Sequence, residues 1–73
     1  MTMSYQQAVV VQHHHQRRLL ALPGVSAVGV KVRDEQPVLV VTIDEGIELP
    51  ELLRSADIDG LPLTVERGRY LPQ

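Results

Sequence analysis

The chain contains no cysteine, no phenylalanine and no tryptophan. Without thiols it forms neither a disulfide nor a thiolate metal site, which removes two common supports of small proteins. Without Phe or Trp its core must be assembled from valine, leucine, isoleucine and alanine. Tyr5 and Tyr70 are the only aromatics, so nucleic-acid bases would find no stacking platform. Positive charge is also scarce. Seven Lys and Arg against nine Asp and Glu leave a net charge of −2, and no basic field collects phosphates. Nucleic acid is therefore not an expected partner. Long apolar runs are missing as well: AVVV and PVLVV fall far short of the ~20 residues of a membrane span, and no basic segment followed by an apolar stretch opens the chain. The expectation is a cytoplasmic protein that does not engage a membrane.

What is present is 44% hydrophobic, enough for a core. At 73 residues without an internal repeat, residues 1–73 read as one small α+β domain, with 1–3 and 69–73 as flexible tails. In so short a chain the area gained on folding nearly balances the entropy lost. With disulfides excluded, the remaining supports are close packing, association with another subunit, or metal ligation by histidine and carboxylate.

Residues 4–22 predict a helix, with Ser4 as N-cap and Pro23-Gly24 as the stop. At 100° per residue Tyr5, Ala8, Val11, Gln12, His15, Leu19 and Leu22 share one side, while Gln6, Val10, His14, Arg17 and Ala21 lie opposite. The β-branched run Val9-Val10-Val11 leaves a second possibility open, a short strand over residues 8–12 followed by a brief helix. Residues 25–33, VSAVGVKVR, alternate as a strand, with Val28, Val30 and Val32 facing one way. A polar connection at 34–37 leads into a second strand over 38–44, whose rows are Leu39, Val41, Ile43 and Val38, Val40, Thr42. A short helix follows at 49–54 with Pro50 in its first turn. Asp59-Gly60 turns the chain, and residues 61–67 alternate as a third strand.

A tight turn makes the first two strands antiparallel, and a helical crossover makes the second and third parallel. The expected fold is a two-layer sandwich, α-β-β-α-β, in which a three-stranded sheet in the order third, first, second carries both helices on one face. This is a ferredoxin-like unit without its first strand.

The other face of that sheet would present Ala27, Gly29, Lys31, Val38, Val40 and Thr42, beside Pro62, Thr64 and Glu66. A face meant only for water usually alternates to polar residues, and glycine inside a strand weakens it unless the space is used. These six residues are the candidate interface for a homodimer or another protein partner.

The run His13-His14-His15 suggests a metal site. On a regular helix consecutive side chains diverge by 100°, and the ligating spacing of i and i+4 is absent. On an extended segment His13 and His15 would share a side, which makes them the candidate metal ligands of an alternative reading as a small-ligand or metal-binding regulatory domain. Catalytic parts are missing. Ser4, Ser26 and Ser55 stand in no nucleophile motif, Asp44, Glu45, Asp57 and Asp59 sit beside turns, and the glycines are too dispersed to cradle a phosphate. The expectation is a protein that is not an enzyme and carries no cofactor.

Two resemblances attach to LPGVSAVGVKV. Heavy-metal-associated domains combine a GV-containing strand with ferredoxin-like topology, but bind metal through a CxxC pair that this chain lacks. The chain also resembles the small α+β domain found N-terminal in some bacterial trypsin-like peptidase-related proteins. The elements that match are Val25-Ser26-Ala27-Val28-Gly29-Val30, residues 37–43, Leu49-Pro50 and residues 59–68, within a resemblance that, with the helix leading into them, covers about two thirds of the chain. No peptidase domain follows, so the resemblance implies an accessory or interaction module without hydrolytic activity. Together with the apolar sheet face, it leads to the expectation of a non-enzymatic module that associates through that face, most simply with itself.

Overall fold

In a computed structural model the described residues are 3–68. Helix α1 spans Tyr5–Leu20, so the alternative of a strand over residues 8–12 is excluded. Its start is fixed locally. Gln7 donates its backbone N–H to the Ser4 hydroxyl at 3.1 Å, and Ser4 donates its own N–H to the Gln7 side-chain oxygen at 3.0 Å. This reciprocal capping outweighs the strand preference of the three valines. Ala8 and Leu19 are buried on the inward side and Val11 and Leu22 pack beside them, as the spacing predicts, but Tyr5 remains 54% exposed. Met3, expected in a tail, packs against the core; the tail expected at 69–73 lies outside the described residues.

Strand β1 (Val25–Arg33) and strand β2 (Gln36–Ile43) form an antiparallel hairpin. The connection is shorter than expected. Asp34 and Glu35 alone make the turn, both at positive φ, and Gln36 and Pro37 already belong to β2. Pro37 is tolerated there because β2 meets its other neighbour only from Leu39 onward, so the missing N–H has no ladder partner to lose.

The expected second helix shrinks to one 3-10 turn, Glu51–Arg54, whose Leu53 is buried. Strand β3 (Asp57–Ile58) follows, and Asp59-Gly60 then turns the chain into β4 (Leu61–Arg67). The sheet is mixed and four-stranded in the order β1-β2-β4-β3, with β2 and β4 parallel and β3 and β4 antiparallel. The parallel crossover agrees with the sequence reading. The count of three strands and the central position of β1 do not. The returning strand joins the free edge of β2, while α1 lies chiefly over β1.

The layer between α1 and the sheet is the core. Leu19, Leu39, Val41, Ile43 and Leu61 are fully buried, with Val28, Val30, Leu63 and Val65 packed around them. The protein is therefore α+β, with one helix on one face of an open sheet.

Candidate functional site

The face of the sheet opposite α1 gathers the residues that alternation assigns to it. Gly29 stands beside Val40, and Val40 beside Thr64; Ala27 stands beside Thr42, and Thr42 beside Glu66; Lys31 stands beside Val38. All six candidate interface residues thus lie on two adjoining strands. A β-carbon at Gly29 would meet nothing within 4 Å, so the space above that glycine is empty.

The face is not flat. The Arg33 guanidinium donates to the Glu66 carboxylate at 2.6 Å, and the Lys31 ammonium stands 3.9 Å from its second oxygen. Arg33 is in register with Gln36, whereas Glu66 is in register with Thr42. In a flat sheet those rows would be about 20 Å apart along the strands. Their contact requires the β1–β2 hairpin to curl toward β4, which makes the helix-free face concave. Because β2 lies between β1 and β4, the ion pairs span it, and Val40 beneath them is only 4% exposed. Val40, one of the candidate interface residues, forms the floor of a trough whose rim is Lys31, Arg33 and Glu66. Arg33 was missed as a site residue, although it shares the row of Ala27, Gly29 and Lys31.

The histidines separate. His13 and His14 are exposed, and His15 packs at the flank of α1 with its side chain 15% exposed. The helix is regular through the run, so His13 and His15 point about 200° apart and do not share a side. No group of three or more metal-ligating side chains occurs among the described residues. His15 has instead a structural arrangement. The Arg18 guanidinium, which can only donate, lies 2.6 Å from Nδ1, so the ring proton sits on Nε2 and is donated to the Asp59 carboxylate at 2.7 Å. Both ring nitrogens are engaged, and neither lone pair is free to ligate a metal or accept a substrate proton in this geometry. Through Asp59 the imidazole ties α1 to the β3–β4 turn. The hydrogen bond from His15 holds the Asp59 carboxyl below its ordinary range; desolvation opposes it, and the nearby Arg18 charge reinforces it.

Two of the three serine hydroxyls weighed above are likewise committed to structure. Ser4 caps α1, and Ser26 donates to the Thr42 carbonyl at 3.3 Å. Among the described residues, no helix is long and apolar enough to cross a membrane. Compared with known families, curated proteins and solved structures, the chain matches no family model, no curated protein and no solved structure.

Proposed function

We infer that the protein is a non-enzymatic association module whose contact surface is the concave, helix-free face of its sheet, and that the simplest occupant is a second copy. One observation carries this reading: an apolar floor of Ala27, Gly29 and Val40 lies open above Gly29 and is rimmed by charges of both signs. A rim holding Lys31, Arg33 and Glu66 is complementary to itself, because two copies related by a twofold axis exchange opposite charges. The patterned resemblance to an accessory domain fits the same reading.

Gly29→Glu tests it cleanly, since the added side chain enters empty space at an ordinary backbone angle and leaves the fold intact. The variant is expected to lower the mass of the associated species in native mass spectrometry. An unchanged mass overturns the assignment of this face.

A further inference from the structure

Among the described residues the outer edge of β1 has no strand beside it. The direction of its polar groups follows from the hairpin. A two-residue turn of this kind is closed by a hydrogen-bonded pair, here Arg33 with Gln36, and such pairs recur at every second residue, so Lys31, Gly29 and Ala27 also bond β2. Val28, Val30 and Val32 therefore aim their N–H and C=O groups off the edge of the sheet. Gln12 marks that direction: its side-chain amide reaches down from α1 to the Val28 carbonyl at 3.4 Å.

The helix flank above this edge carries exposed apolar side chains beside two glutamines. Gln12 marks the side of α1 that faces the β1 edge, and His15, tied to the β3–β4 turn, marks the other. By helical spacing Tyr5, Val9, Gln16 and Leu20 fall on the Gln12 side. Tyr5 is 54% and Leu20 42% exposed on that side of the helix, and Val32 is 58% exposed in β1 itself. Edge strands are usually blunted by proline, charge or a bulge. In β1 the irregularity falls between Val25 and Ala27, and residues 27–33 remain regular.

We propose that β1 pairs antiparallel with β1 of a second copy about a twofold axis through Val30, joining two four-stranded sheets into one. The register is self-complementary. On the helix side Val30 meets the partner's Val30, and exposed Val32 meets the partner's Val28. On the other side Lys31 lies opposite the partner's Gly29 and Arg33 opposite the partner's Ala27, so no like charges face each other. Moving the axis to Lys31 would set two lysines together. The Val28 carbonyl keeps a second lone pair for the inter-subunit bond beside that from Gln12. With the axis normal to the sheet, both helices stand on one face, and their Tyr5 and Leu20 flanks cover the seam. This pairing is independent of the face reading above, and would merge two troughs into one continuous surface.

The full chain is compared with Val30→Pro, Val32→Glu and Gly29→Glu by sedimentation and by amide hydrogen exchange over a range of concentrations. Proline at position 30 removes an N–H that bonds nothing inside the subunit, and Val32 is exposed, so Val32→Glu keeps the fold even if the proline variant does not. Each edge variant is expected to weaken the seam about tenfold or more, with concentration-dependent protection of the Val28, Val30 and Val32 amides lost. Gly29→Glu, which removes the face contact alone, is expected to reduce a larger wild-type assembly to a two-copy species held by the seam. A monomeric wild type, a dimer indifferent to both edge variants, or a dimer lost only in Gly29→Glu overturns the pairing.

Discussion

A β-carbon built on Gly24 would lie 2.7 Å from Cγ2 of Ile47. Gly24 also has φ +82°, a left-handed conformation, and its carbonyl accepts the Asp44 N–H at 2.8 Å. One position thus joins the end of α1 to the start of the crossover. Gly24→Ala is expected to combine backbone strain with overlap on Ile47 and to cost about 2–4 kcal/mol. Urea unfolding checks this; a loss under about 0.5 kcal/mol would show that the loop relaxes freely.

The β1–β2 turn predicts the opposite sign. Asp34 and Glu35 occupy φ 52° and 65°, where residues with a β-carbon are strained and Asn-Gly is favoured. The double change Asp34→Asn, Glu35→Gly keeps the hairpin length and relieves that strain. An increase of ~1 kcal/mol, or about 4–8 °C in Tm for a chain of this size, is expected by calorimetry. An unchanged or lower Tm would contradict the turn assignment.

The His15–Asp59 contact makes stability depend on acid. The folded carboxyl lies below its ordinary 3.8, so the native state binds this proton more weakly than the unfolded chain does. The contribution is fully present above that value and is lost as pH falls through the lowered folded one. Asp59→Asn tolerates the positive φ at this position and removes the titration. Denaturation midpoints of the two proteins should differ at neutral pH and converge as pH falls below the lowered folded value; a constant gap would assign the effect to the turn instead of the charge.

Much of this fold is written locally. Ser4 and Gln7 announce the helix start, alternation from Val25 to Arg33 announces β1, and a crossover after Ile43 requires a parallel return. What escaped the reading lies in relationships between distant segments. No residue of β4 states which edge of the hairpin it will join. Strand β3, at two residues, is too short to show a period. Helical spacing places His15 inward, but its partner Asp59 lies 44 positions away. Alternation assigns Arg33 and Glu66 to one face, yet only the curl of the hairpin brings them together.

The parallel pairing of β2 with β4 also sets an order of assembly. Contacts among α1, β1 and β2 link segments that follow one another closely in the chain, whereas Leu39 meets Leu63 only after the whole crossover has closed. Loop closure delays such non-local pairing, so the helix and hairpin gather first and β4 arrives last. Glu66 arrives with it, and only then is there a carboxylate to draw Arg33 and Lys31 across β2. The trough is a late product of folding, while the outer edge of β1 exists as soon as the hairpin does.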